Sequence, residues 1–163
     1  MEFTEIIARV DQLAPGAFAP AEEGAGHVWV QPEQWLKVAQ LLREDQELHF
    51  DSLMCLSGHD RGPEQPLWVA YNLHSMDILH KLEVRIEAGR EGGSIFSVAN
   101  IWRTADWHER EVYDLFGIMF EGHPDMRRIL LPVDWEGHPL LKDYTEPDYY
   151  RGIPVPKDKR GWE

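Results

Sequence analysis

The sequence predicts an α+β fold: a two-layer sandwich with helices on one face of a mixed, mainly antiparallel sheet, followed by an extended C-terminal arm. Three observations carry this reading. Helical apolar spacing dominates the N-terminal part, strict two-residue alternation marks the middle, and six of the eleven prolines crowd into residues 121–163. A chain of 163 residues can bury a core without staples, so the helical and alternating parts are taken as one αβ domain, residues 1–120, and the remainder as the arm.

Phe3, Ile6, Ile7, Val10 and Leu13 fall on one helical face, and Pro15-Gly16 stops the run. His27-Val28-Trp29-Val30 is a short strand. Pro32 then opens a second helix with the stripe Trp35, Leu36, Val38, Ala39, Leu42, ending near Arg43 to Asp45. Leu48 to Ser57 alternates with weak contrast and is expected to be a strand covered on both sides near its end, with Gly58 to Pro66 as a loop. Leu67 to His74 and His80 to Glu87 form the clearest hairpin, the second strand presenting Lys81, Glu83, Arg85 and Glu87 to water. Gly92-Gly93 is read as a further hairpin turn leading into a strand at Ser94 to Val98.

From about Trp107 to Phe116 a short helix is expected. Asp106 with Glu109 resembles a capping box, and Gly117 fits a left-handed stop. His108, Val112, Leu115 and Phe116 share one face; Glu109, Arg110 and Tyr113 lie beside it, where a charged run is commonly a solvated face. Beyond Gly117 each proline removes a backbone donor and forces its predecessor towards extended geometry, so the segment holds neither a long helix nor a central strand.

Charge and cysteine content narrow the chemistry. The chain carries 16 basic and 29 acidic residues, a formal charge of -13, with -11 on residues 1–120 and -2 on the arm, so nucleic acid is not expected as a partner. The single Cys55 excludes an internal disulfide, a cysteine-based zinc site and a self-contained iron–sulfur cluster, and is read as a small buried hydrophobe. No apolar run is long enough to span a membrane, and the acidic start is unlike a secretory leader, so no direct membrane insertion is expected.

Gly122-His123-Pro124 and Gly137-His138-Pro139 repeat fifteen residues apart. With His108 and Glu111 they offer metal-ligand types, but proline after each His separates rather than gathers them, so each is read as a turn whose imidazole bonds a backbone group. Arg127-Arg128 is suited to forked bonds with carboxylates. With Glu109-Arg110-Glu111 it is expected to fix the direction in which the arm leaves the domain. Tyr144, Tyr149, Tyr150, Trp135 and Trp162 lie in a segment that cannot bury them in a core of its own, so some are expected to anchor in a partner.

Glu109-Arg110-Glu111-Val112-Tyr113-Asp114-Leu115-Phe116-Gly117-Ile118, then Phe120 to Leu130, Trp135 to Leu140 and Lys142-Asp143-Tyr144, resemble the signature of the 30 kDa subunit of respiratory complex I. So many identities at fixed spacing rarely arise by chance; the sequence departs from the pattern at Met126, Val133-Asp134, Leu141 and Thr145. The resemblance implies a non-catalytic scaffold subunit in the hydrophilic arm of a proton-translocating NADH-quinone oxidoreductase. It implies no cofactor on this chain, with NADH, FMN, iron–sulfur clusters and quinone used by the assembled complex. The implied partners are D-like (49 kDa) and B-like (20 kDa) subunits, and the implied location is peripheral, on the cytoplasmic side of the cell membrane. The residues it assigns to partner contacts are Glu109, Arg110, Glu111, Asp114, His123, Asp125, Arg127, Arg128, Trp135, His138, Lys142, Asp143 and Tyr144. The alternative is the equivalent subunit of a membrane-bound hydrogenase or of a ferredoxin- or coenzyme-dependent dehydrogenase; a free-standing metal hydrolase lacks a ligand set.

Overall fold

The computed structural model describes residues 1–19, 26–90 and 92–155, so Pro156 and Trp162 lie outside the described residues. The chain is a mixed α+β fold as expected. In order it runs α1 (Phe3–Leu13), β1 (Phe18–Ala19), β2 (His27–Val30), α2 (Pro32–Glu44), β3 (Ser52–His59), β4 (Leu67–His74) and β5 (Lys81–Ala88). It continues with β6 (Ser94–Phe96), α3 (Ala105–Phe116), β7 (Met119–Glu121), β8 (Tyr149–Tyr150) and β9 (Ile153–Pro154). The main sheet has the order β1-β2-β5-β4-β3, antiparallel except where β2 runs parallel to β5.

Alternation along β2, β4 and β5 sorts the side chains between two faces. Val28, Val30, Leu67, Val69, Tyr71, Leu73, Leu82, Val84 and Ile86 point into one core with Ile6 and Val10 of α1, Trp35, Val38 and Leu42 of α2, and Val112 of α3. The odd positions of β5 carry its charges on the other face, as the pattern requires. α3 is set against β3 where Gly58 leaves room: a Cβ there would stand 2.6 Å from a Phe116 ring carbon and 3.0 Å from a Val112 methyl.

Several expectations are corrected. The strand expected from Leu48 begins at Ser52 and runs through Gly58 to His59. Leu48 and Phe50 are fully buried, but their backbone bonds leave the ladder: Phe50 N–H reaches Leu42 O, Trp102 Nε1 donates to Phe50 O, and the His80 ring binds Leu48 O. Gly92-Gly93 does not return the chain beside β5. β6 pairs in parallel with β7, a strand that its three-residue length hid, and the two form a separate small sheet. α3 starts at Ala105, after Thr104, and Asp106 lies within its first turn rather than capping it. Cys55 is exposed, not buried, because a β-bulge between Leu53 and Cys55 turns it to the outer face opposite Asn72.

Gly58→Ala is therefore expected to cost about 1–3 kcal/mol, because Phe116 and Val112 must move in a packed interior. Urea unfolding of the isolated chain checks this; an unchanged midpoint would show that α3 shifts freely on β3.

Candidate interaction site at the root of the arm

α3 ends in a left-handed residue, Gly117 at φ +78°, as the sequence predicts. Just before it, Asp114 is fully buried, and its carboxylate organises the first stretch of the arm. Oδ2 accepts the consecutive N–H groups of Ile129, Leu130 and Leu131 at 3.0, 2.7 and 2.9 Å, while Oδ1 accepts from Arg128 Nη1 at 2.7 Å. Burial pushes this carboxyl up, but the Leu131, Leu130 and Ile129 N–H groups together with the Arg128 guanidinium outweigh it and hold it below the usual range. Arg128 also donates to Asp114 O and, through Nη2, to Gly137 O at 2.9 Å. One ion pair thus fastens the 128–131 stretch and the turn at Gly137 to α3.

The two Gly-His-Pro turns grip opposite ends of that helix. His123 Nε2 donates to Asp106 O at 3.1 Å and its Nδ1 accepts the Asp125 N–H; His138 Nδ1 donates to Asp114 O at 2.9 Å. The His138 ring lies so close to Gly117 that a Cβ there would meet it at 2.7 Å, so position 117 needs glycine for space as well as for φ. Each imidazole therefore serves a backbone carbonyl, in the manner read from the sequence.

Glu109 points inward, and this side of α3 is not a solvated face. Its fully buried carboxyl meets Ser97 Oγ at 2.6 Å and the Val98 N–H at 2.8 Å. The buried His123 Nε2 lies 3.9 Å away and is also 3.4 Å from the Asp106 carboxylate. Burial raises the Glu109 pKa to about 7, against the Ser97 and Val98 bonds that favour the charged form. Arg110, also buried, donates Nε to Arg127 O and lies 5.3 Å from the Trp107 ring.

A second anchor lies at the end of β3. Asp60 takes a forked bond from Arg90 at 2.7 and 2.9 Å and accepts the Lys142 N–H at 2.8 Å, while Arg90 Nη2 reaches Asp143 at 2.8 Å. The Arg90 fork holds the Asp60 carboxyl far below the usual range. Farther along the arm, Trp135 Nε1 donates to Tyr144 Oη and the Trp135 ring packs 5.2 Å from Tyr150, so these aromatics are satisfied partly by one another.

Of the thirteen positions singled out in the sequence, Glu109, Arg110, Asp114, His123, Arg128, Trp135, His138, Lys142, Asp143 and Tyr144 are drawn together through these bonds. Arg127 and Asp125 instead pair with each other on the surface at 2.8 Å, and Glu111 is exposed without a partner among the described residues. Arg128 thus pairs with Asp114, not with the Glu109-Arg110-Glu111 run. Ser97, Asp60 and Arg90 went unrecognised because nothing local marks contacts 12, 30 and 82 residues apart. On the outside of the arm, Leu130, Val133, Leu140, Tyr149 and Ile153 remain exposed, Val133 almost completely at 94 %.

Residues 28–150 match the family model of the respiratory-chain NADH dehydrogenase 30 kDa subunit. The chain is 50 % identical over 104 residues to the C-type NADH-quinone oxidoreductase subunit of Chlorobium phaeobacteroides, covering 63 % of each chain. It is 53 % identical over 104 residues to the corresponding protein of Chloroherpeton thalassium, spanning 43 % of that protein's length and 63 % of its own. The match thus takes in less than two thirds of either relative's length. Identity to the Roseiflexus castenholzii counterpart is 40 % over 133 residues, covering 80 % of this chain and 76 % of that one. Among solved structures, a trypsin-resistant fragment of Nqo5 is 27 % identical with a TM-score of 0.62, covering 77 % of this chain and 99 % of the fragment. A chain of the archaeal membrane-bound sulfane sulfur reductase shares the fold, with a TM-score of 0.72 at 20 % identity over 87 % and 85 % of the two chains.

Asp114→Asn would set an amide donor against Arg128 and remove a buried charge's partner; a loss of about 3–5 kcal/mol is expected in urea unfolding. For Glu109 the sign follows from its raised pKa. The neutral form is the one the fold favours, so its stabilisation is complete below pH 4.5 and is lost as pH rises through about 7. Asp106, His123 and Tyr71 face the same pocket and stay in place in Glu109→Gln, which is expected to remove roughly 2–4 kcal/mol of that decline. Unfolding curves from pH 4 to 8 that fall equally in both proteins would assign the decline elsewhere.

Proposed function

The chain belongs to the family of the respiratory-chain NADH dehydrogenase 30 kDa subunit, and from that premise we propose that it is a non-catalytic scaffold of the hydrophilic arm of a proton-translocating NADH-quinone oxidoreductase. In this reading residues 1–120 are a structural body and residues 121–163 are the arm that packs on D-like (49 kDa) and B-like (20 kDa) subunits, supporting the quinone-reducing module. The chain holds none of the redox groups; NADH, FMN, iron–sulfur clusters and quinone are handled by the assembled complex. Its place is peripheral, on the cytoplasmic side of the membrane, and no helix among the described residues is long and apolar enough to cross one.

The observation that carries the reading is the way the arm is prepared. Asp114 and Asp60 fix its backbone from within, while Leu130, Val133, Leu140 and Ile153 are exposed on its outside. Ordering a flexible segment on binding costs free energy, and an arm already held by its own chain avoids much of it. The exposed Asp125, Arg127 and Glu111 add charges at its root for a partner to meet. The sister reading, an equivalent subunit of a hydrogenase or a ferredoxin- or coenzyme-dependent complex, is favoured by the fold shared with the sulfane sulfur reductase chain.

Leu130→Asp with Val133→Asp tests the scaffold role. Both side chains are exposed, at 58 % and 94 %, so the isolated chain is expected to keep its stability within about 0.5 kcal/mol. The amount of assembled complex on a native gel and electron transfer from NADH to quinone in membranes are expected to fall together. Normal assembly would sink the proposal, and normal assembly-dependent activity with a donor other than NADH would favour the sister reading.

A further inference from the structure

The face of the main sheet turned away from the helices is built around one arginine. Arg85 of β5 donates Nε to Glu83 at 2.6 Å, and its guanidinium carbon lies 4.8 Å from the Trp68 ring centroid and 5.9 Å from that of Trp29. The His59 ring stacks on Trp68 at 3.8 Å with planes 5° apart, and Arg61 lies 5.5 Å from the same ring. Burial and the neighbouring Arg85 charge push the His59 pKa down, which keeps this stack from setting cation against cation. The orientation of Arg85 is therefore fixed by one carboxylate and two indoles, yet its two Nη groups make no hydrogen bond to any described residue.

We propose that the Arg85 fork is a docking point for a side-chain carboxylate on an acidic segment of a partner subunit. A planar guanidinium held still, with both terminal nitrogens free, matches a carboxylate in bidentate geometry, and little entropy is left to lose. Charge points the same way. The outward charges of β5, Lys81, Glu83, Arg85 and Glu87, cancel, and Arg61 over the Trp68 ring adds a further cation, on a chain of net charge -13. Beyond the buried Ala70 beside Arg85, Ser57, Cys55 and Asn72 are small and at least partly exposed, which lets a polypeptide approach closely. The partly exposed Trp29 supplies an apolar rim, and arginine and tryptophan are the side chains that most often dominate protein contacts.

The face adjoins the arm. His59 is followed by Asp60, which with Arg90 holds Lys142 and Asp143, so a partner grasped by the arm is brought beside Arg85. Size and charge argue against a second copy of this chain. Three strands of eight residues with the shorter β2 and β1 present roughly 500 Å² at ~4.8 Å spacing and ~3.3 Å rise, short of the ~800 Å² per partner of a stable interface, and two copies share the same net sign.

The inference rests on the subunit reading, and the experiment separates the two. Arg85→Lys, which keeps the charge but not the fork, and Arg85→Ala are expressed in place of the natural chain, with thermal unfolding of each isolated chain as the folding control. Arg85→Lys, which keeps the methylenes over Trp68 but loses the stacked guanidinium, is expected to unfold at a somewhat lower temperature yet remain folded at the assay temperature, while its association with the other subunits at moderate salt weakens on the order of tenfold. Cys55, exposed on this face, reports cover directly: maleimide is expected to modify it quickly in the isolated chain and slowly in the assembled complex. Equal association of all three chains, or equal Cys55 labelling in complex and isolated chain, overturns the inference while leaving the subunit reading intact. Failure of the natural chain to associate with any subunit overturns both. Binding to phosphatidylglycerol vesicles or poly(dT) that is lost in Arg85→Lys overturns the choice of an acidic polypeptide.

Discussion

The carboxylate of Asp114 is the interaction on which the rest of the molecule's C-terminal half depends. Three consecutive N–H groups, of Ile129, Leu130 and Leu131, converge on a single oxygen, and they come from a stretch that forms neither helix nor sheet. Partly buried backbone donors need acceptors, and without regular structure a side chain must provide them. Asp114 supplies one acceptor for three donors, and its second oxygen takes the arginine that also ties down Gly137. Glutamine or asparagine offers no equivalent, because each has only one accepting oxygen and would turn its amide towards Arg128. The direction in which the arm leaves α3 therefore follows from one charge at one position.

Burying an acid is costly, and the fold meets that cost in three different ways. Asp114 is satisfied chiefly by backbone donors, Asp60 by the Arg90 fork, and Glu109 by favouring its protonated form. The differences follow from the surroundings. The arm brings Arg128 and three free N–H groups to Asp114, while Asp60 meets Arg90 from the loop after β5 and the Lys142 N–H from the arm. Glu109 instead faces Ser97, Val98 and the apolar core beside Tyr71, and among the described residues it has no Lys or Arg within ion-pair distance. Two of these sites are rigid ties over the whole neutral range, and the third is sensitive to pH.

The elements with repeated periodicity were legible: α1, α2, the β4–β5 pair and the Gly117 stop all follow from local pattern. The failures have local causes too. Leu48 and Phe50 alternate like a strand because they are buried on one side, but their carbonyls are claimed by His80 and Trp102, far off in sequence. β7 is three residues long, below the length at which alternation can be seen. At the site, the residue types were legible and the pairing was not. The charges of Glu109, Arg110 and Arg128 stood out, but which acid would meet which arginine depended on how far α3 turns Asp114 inward, and the Asp60–Arg90 tie joins loops that only β-sheet pairing brings together.

The inner and outer faces of the sheet place opposite demands on its residues, and this explains why the outer face is the less readable of the two. Toward the helices, shape alone decides, and Val, Leu, Ile and Tyr satisfy it through ordinary alternation. On the outer face Trp68 is only 7 % exposed although no helix covers it; its cover comes from Arg85, His59, Arg61 and Trp29 lying across its ring. The methylenes and flat guanidinium of Arg85 exclude water from an indole while leaving the polar edge outside, which an aliphatic side chain cannot do. The arginine is thus held in place by the stability it gives to the sheet, and its open fork follows from the same geometry at no further cost in order.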